Sequence, residues 1–282
     1  MLFVVLRRVS SCQSKTDLPK EETINGRHVN KTMVQYLLSL NSKNGEPGSV
    51  PGNFTIKYAK PLSFSSNNWE VGLISAYVPK TYYNISAAYQ NNKLHYSTDN
   101  GSNYTTLTIP DGNYSINNLN AFIQASISNS ITIAGDSARM KVYITLAASH
   151  KIDFTQTDTF RDLLGFGSVV VSTGTTYAAS KPNITNSNDF FYITTDIISS
   201  SYSRIGGQAA NVLYPFTFSV NAGSAESIVP AEHVHLKLGV TNVDSINIRI
   251  VNQDGQVVDF NGENVIVNIK IKETTPLSEA MF

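Results

Sequence analysis

Charge is scarce in this sequence. Lys, Arg, Asp and Glu make up 15% of its 282 residues, and 21 basic side chains balance 21 acidic ones to a formal net charge of zero. A chain with no basic excess has no electrostatic footprint for nucleic acid or an anionic membrane surface. Cysteine is nearly missing too. Cys12 is the only one, so an internal disulfide and the Cys₂ or Cys₄ zinc sites are excluded, and the fold must hold by burial and sheet hydrogen bonds. Long apolar runs are also lacking. Residues 1–6 are apolar, but they are too short for a signal-peptide core, and Arg7-Arg8 follow them instead of preceding them. No later run approaches the roughly 18 apolar residues of a membrane span.

Asn, Ser, Thr and Tyr fill the space that charge leaves. Thr and Tyr favour strands, and a neutral polar surface suits meetings with other protein surfaces. The plainest β signal lies at 241–272. Ile246, Ile248 and Ile250 alternate with Asn247 and Arg249; Val265, Val267, Ile269 and Ile271 alternate with Asn268, Lys270 and Lys272. Asp254-Gly255 and Asn261-Gly262 give turns on either side of a short run, Val257-Val258-Asp259-Phe260. The stretch reads as strand, turn, short strand, turn, strand.

The rest of the chain follows the same grammar. Residues 1–30 show no sustained period and read as a flexible arm. A short strand or one or two helical turns at 31–40 is followed by a loop at 41–52. Strands are expected around 54–58, 69–78, 93–97 and 104–109, the last two flanking an Asp99-Asn100-Gly101 turn. Ser115 can cap a helix whose Ile116, Leu119, Phe122, Ile123 and Ile127 share one face. Alternation resumes at 140–146 and 151–154. Asp158 is expected to cap a second short helix, stopped by Gly165, that tucks Phe160, Leu163, Leu164 and Phe166 against a sheet. Residues 168–188 read as a long loop or weak strand pair, and strands return at 190–199, 212–220 and 233–238. Many short strands with one or two short helices in connections define an all-β chain, a single jelly-roll sandwich. The expected organisation is an arm (1–30), one jelly-roll domain (31–273) and a short tail (274–282).

Catalytic and metal chemistry is hard to find. His233 and His235 share a strand face by spacing, with Glu226 or Glu232 as a third metal ligand; solvent-facing polar residues on a half-buried strand are the plainer reading. Asp196 interrupts the apolar run 190–198 and is the one carboxylate worth testing for glycoside chemistry; a strand-end residue bonding a neighbouring loop is again plainer. There is no serine elbow, and Gly206-Gly207 is not followed by the Lys of a phosphate loop. Asn-x-Ser/Thr occurs at Asn30, Asn53, Asn84, Asn100, Asn103, Asn113 and Asn183, close to the roughly five or six that this composition produces by chance. No catalytic, cofactor-binding or metal residue is therefore assigned.

Several blocks, in order, resemble the penton (minor capsid) proteins of Polinton/Maverick elements and adintoviruses. They are Trp69-Glu70-Val71-Gly72-Leu73 with Tyr83-Asn84-Ile85; Ile109-Pro110-Asp111-Gly112-Asn113-Tyr114; Phe160-Arg161-Asp162-Leu163-Leu164-Gly165-Phe166; Phe191-Tyr192-Ile193-Thr194-Thr195-Asp196; and Asp244-Ser245-Ile246-Asn247-Ile248 through Asp254-Gly255 to Val265-Ile266-Val267. The resemblance spans about residues 35–272. Arg204-Ile205-Gly206-Gly207 departs from the family's loop there, and 168–188 has no counterpart. It implies a jelly roll, a non-enzymatic structural role, homopentamers at icosahedral vertices, the major capsid protein as partner, and a place in the virion assembled inside a host cell. It implies no cofactor, nucleic acid or membrane partner. The alternative is a secreted or surface β-sandwich that binds a glycan or receptor, with Tyr89, Tyr104 or Tyr177 in exposed loops.

Overall fold

The computed structural model describes residues 34–64, 68–199 and 203–274, together with strand residues Thr23–Ile24 and Arg27–His28. Apart from those strands and Thr274, the expected arm and tail lie outside the described residues. In chain order the strands are β1 Thr23–Ile24, β2 Arg27–His28, β3 Gln35–Asn41, β4 Asn53–Ser63, β5 Trp69–Pro79, β6 Lys93–Ser97 and β7 Thr105–Thr108. Helix α1 (Ile116–Ser126) precedes β8 Ile131–Asp136, β9 Lys141–Leu146 and β10 Lys151–Asp153; α2 (Arg161–Leu164) precedes β11 Val170–Val171 and β12 Gly174–Tyr177. The remainder are β13 Phe191–Thr195, β14 Ser203–Ile205, β15 Gln208–Ala210, β16 Val212–Phe216, β17 Ala225–Ile228, β18 His235–Lys237, β19 Asn242–Asn252 and β20 Ile266–Glu273.

Two compact units divide the chain: residues 1–80 with 191–282, and residues 81–190. The span 31–273, expected as one undivided domain, thus carries a second unit in the connection between β5 and β13. The reason is a separate core, since residues 81–190 bury an apolar cluster of their own. Nothing of linker composition marks the joins at Lys80-Thr81 or Phe190-Phe191.

In the first unit the strands pair as nested brackets. β3 pairs with β20, β4 with β19, β5 with β17, and β13 with β16, all antiparallel. Rolling that nested ladder gives two sheets, β17-β5-β20-β3 and β16-β13-β19-β4. This is a jelly roll. Period-2 alternation supplies its core: Leu38 and Leu40, Phe54 and Ile56, Val71 and Leu73, Ile246, Ile248 and Ile250, and Val267, Ile269 and Ile271 are all buried. A cluster of Tyr36, Phe64 and Trp69, with ring centroids 4.8–5.9 Å apart, packs beside them.

The stretch 241–272 departs from the expected single sheet. β19 pairs with β13 and β4, whereas β20 pairs with β3 and β5, so its two long strands belong to different sheets. Each already has a partner on both edges, which leaves no room for them to pair with each other. The short middle strand is reduced to one bridge, Val251 to Val257. The turns are as expected: Gly255, Asn261 and Gly262 all have positive φ.

The second unit has sheets β11-β10-β6-β7 and β12-β9-β8. Ser115 caps α1 by accepting from the Asn118 amide at 3.1 Å, and Leu119 and Ile123 are fully buried. Gly165 ends α2 in the left-handed region at φ 79, where an added Cβ would strike the carbonyls of Ser180 and Lys181. Phe160, not Asp158, occupies the N-cap of α2 and makes no side-chain cap bond. Asn84 is buried and pins three segments. It accepts from the Tyr114 amide (2.8 Å) and donates to the carbonyls of Tyr114 (2.8 Å) and Ile184 (2.6 Å). A glycan cannot be carried on so enclosed an amide.

Ile248 lies opposite Phe54 on β4 and Thr195 on β13 and is fully buried. Ile248→Ala is expected to cost about 2–5 kcal/mol of unfolding free energy by urea denaturation; a loss below about 1 kcal/mol would show that the site collapses around the gap.

Candidate interaction surface

The jelly roll offers four sheet edges, and edges are where chains meet or are kept apart. Three carry obstacles. β4 holds Lys57, Lys60 and Pro61, and its register with β19 shifts between Val243 and Ser245. β16 contains Pro215 and faces a register shift at Ile193/Thr194. On the third, β17 pairs with Ala76–Pro79 and β18 with Glu70–Gly72 of β5, leaving a gap across residues 229–234, which include Pro230. Val229 (67% exposed), Val234 (59%) and Tyr77 (51%) stand out at this broken edge. β3 has no such obstacle.

In the second unit, Tyr143 and Tyr177 lie opposite each other on β9 and β12 with ring centroids 5.5 Å apart. Arg139 lies over the Tyr177 ring at 4.7 Å, donates to its hydroxyl at 2.6 Å, and pairs with Asp136 at 2.9 Å. An open cavity of about 430 Å³ close by is lined by Ile116, Met140, Pro182, Asp136, Lys141 and Lys181 among others. Of the tyrosines singled out by sequence, Tyr89 and Tyr104 are also exposed, but only Tyr177 joins a cation and a second ring.

The sequence-derived metal grouping does not assemble. Glu226 and His235 pair with Val78 and Gly72, six residues apart on β5, or about 20 Å along the strand. Glu226 instead accepts from the amides of Ser219 (2.7 Å) and Val220 (3.2 Å). The His233 ring meets the Leu73 carbonyl through Nδ1 at 3.2 Å. Burial, then the Lys272 charge, lowers the pKa of His235, an environment that disfavours a bound cation. Among the described residues no cluster of three such side chains is placed to hold a metal. Asp196 accepts from the Asn247 amide at 3.0 Å, the strand-end role that was the plainer reading of its place in the sequence.

One network escaped the sequence reading. His95 Nε2 lies 2.8 Å from Asp158 Oδ1, Thr106 Oγ1 lies 2.9 Å from His95 Nδ1, and Lys93 donates to Asp158 Oδ2 at 2.9 Å. Lys93 and His95 share one face of β6, and Thr106 is the register partner of His95 on β7. The arrangement fastens the β6–β7 hairpin to the loop before α2. Burial alone would raise the Asp158 carboxyl, but hydrogen bonds from Lys93 and His95 outweigh it and hold the pKa below the ordinary value. The only trace in the sequence was the i, i+2 spacing of Lys93 and His95; Asp158 is too distant in sequence for spacing to reveal it.

No family model matches the chain, and no curated protein does. Among solved structures, the mavirus penton protein is similar at 10% identity, over 86% of this chain and all of that one, with a TM-score of 0.41. A chain of the Sputnik virophage is similar at 13% identity, over 86% of this chain and 97% of that one, with a TM-score of 0.38. The jelly-roll assignment rests on the nested strand order, not on these scores.

Asp158→Asn is expected to lower stability at pH 7 by roughly 1 kcal/mol, a modest figure because solvent reaches both partners. A depressed carboxyl contributes stability above its unfolded pKa near 3.9 and loses it as pH falls through the folded value. The gap between native and variant in urea melts therefore closes below about pH 4. An equal gap at both pH values would remove the charge from the explanation.

Proposed function

We propose that the chain is a structural, non-enzymatic capsid protein of penton type, five copies of which close a ring at an icosahedral vertex with the major capsid protein around it. The observation that carries this reading is where the family-like blocks fall on the jelly roll. Trp69–Pro79 is β5, next to the second unit; Phe191–Thr195 is β13; Asn242–Asn252 and Ile266–Glu273 are the central strands of the two sheets. The two blocks between them open α1 at its Ser115 cap and form α2 with its Gly165 stop. A ring is a heterologous, rotation-closed assembly, so two different patches of one subunit must meet. Zero net charge keeps like copies from repelling one another at long range. On this reading the chain resides in the virion and touches neither nucleic acid nor membrane directly.

A second reading, a glycan- or receptor-binding module, is favoured by one observation: the exposed Tyr177 with Tyr143 and Arg139 beside an open cavity. Light scattering of the purified chain, alone and mixed with the major capsid protein, separates the two. A species of five times the 30.8 kDa chain mass is expected. A protein that stays monomeric at high concentration in both conditions, and whose Tyr177 is needed for binding on a glycan array, would replace the first reading with the second.

A further inference from the structure

The free edge of β3 and the small β1–β2 hairpin belong together. β3 keeps one unbroken register with β20, from Gln35 opposite Lys272 to Asn41 opposite Ile266, and contains neither proline nor a charged residue. Among the described residues nothing pairs with its other edge. The Glu273 amide bonds the Val34 carbonyl and the Ser42 amide bonds the Val265 carbonyl. In an antiparallel ladder a residue's N–H and C=O point the same way, and successive residues alternate. Even-numbered residues of β3 therefore bond β20, while Gln35, Leu37 and Ser39 turn their backbone groups to the open side.

Upstream, β1 and β2 pair with Ile24 opposite Arg27 and Thr23 opposite His28. The two residues between are Asn25-Gly26, the strongest two-residue hairpin signal. Such a hairpin reverses the chain, so residues before Thr23 run back alongside those that lead into β3. Continued without slip, its register sets Thr16 opposite Gln35, Ser14 opposite Leu37 and Cys12 opposite Ser39. The phase agrees as well. The residues flanking a two-residue turn exchange both hydrogen bonds, so every second residue from Arg27 onward faces the returning strand, and that series includes Gln35, Leu37 and Ser39. Those are the residues whose backbone groups β20 leaves open. Pro19 falls in the opposite phase, where its missing N–H would face away from the partner strand, the placement an edge strand tolerates. Lys15 falls in that phase too, as a charge guarding the new edge.

We propose that residues 10–16 add to β3 as an antiparallel strand of the same chain, with Cys12 opposite Ser39, so that the one undefended sheet edge is closed from within. The register ties the occupant to the same chain, not to a neighbouring copy, and the inference does not depend on the proposed capsid role.

Cys12 is the only thiol in the chain, which makes the test direct. Ser39 is exposed, so Ser39→Cys leaves the core untouched. A bis-alkylating bimane, which fluoresces when it bridges two thiols a few ångströms apart, should link Cys12 to the new thiol within one chain, and should not do so in Ser63→Cys on the β4 edge. Links between chains would mean exchange with a second copy and would overturn the proposal, as would no link or equal linking in both variants. Independently, amide exchange at Gln35, Leu37 and Ser39 should quicken by about tenfold or more when residues 1–22 are deleted, while Leu38 and Leu40 stay protected. Unchanged exchange at the three open-side amides would also refute it.

Discussion

Everything in the first unit depends on two strands that never touch as partners. β19 and β20 are adjacent in sequence, yet each is flanked on both edges inside its own sheet. A strand saturated on both edges with one face fully buried can shift register only by turning its apolar set to the other side. Ile246, Ile248 and Ile250 in one sheet, with Val267, Ile269 and Ile271 in the other, fix register for six of the flanking pairings' core positions at once. The tight turns at Gly255 and Asn261-Gly262 carry the chain between the two sheets. The order of strands around them is a consequence of nesting: once β19 and β20 are central, earlier strands have only the outer places left.

Nesting also explains how a second unit fits in the connection between β5 and β13. These strands lie in different sheets and are joined by a loop in a jelly roll, and a loop is where insertion costs least, since loop-closure entropy grows only slowly with length. Residues 81–190 meet that cost with their own buried cluster, from Ile85 to Ala178. Polar anchoring supplements it. Asn84 holds its segment to Tyr114 and Ile184, while Asp158 ties its loop to β6. The insertion thus has internal reasons to fold.

Much of this was legible because period-2 alternation survives wherever one face is buried. The faces of β19 and β20, the cap at Ser115 and the stop at Gly165 all follow from local rules. Partnership does not. Alternation in Ile246–Ile250 and Val265–Ile271 says that both are strands, and is silent on whether they share a sheet. β8 was missed because Ile131-Thr132-Ile133 is short and trails a helix; the β14–β15 hairpin was missed because Ser203–Ile205 and Gln208–Ala210 are three-residue strands with little apolar content. Glu226 and His235 looked like partners because a sequence gap says nothing of where each strand docks along β5. The Lys93–His95–Asp158 network was hidden for the converse reason: residues 63 and 65 positions apart meet only after the sheet forms.

The scarcity of charge then acquires a structural meaning. Where other chains use ion pairs, this one uses short polar side chains bonded to backbone. Asn247 donates to Asn53 Oδ1, the Phe54 carbonyl and Thr55 Oγ1 at 3.0–3.3 Å, joining β19 to β4. Asp99 accepts from Ser97 and from the amide and side chain of Asn103, which lowers its carboxyl to about 2 and closes the turn after β6. Hydrogen bonds of this kind are directional, fix geometry over a few ångströms, and are far less screened by salt than exposed charge pairs. A surface built this way exerts little long-range force, so what it recognises must be decided at contact, by shape and by the backbone groups left open at its edges. That places the burden of specificity on which edges are closed and which are not.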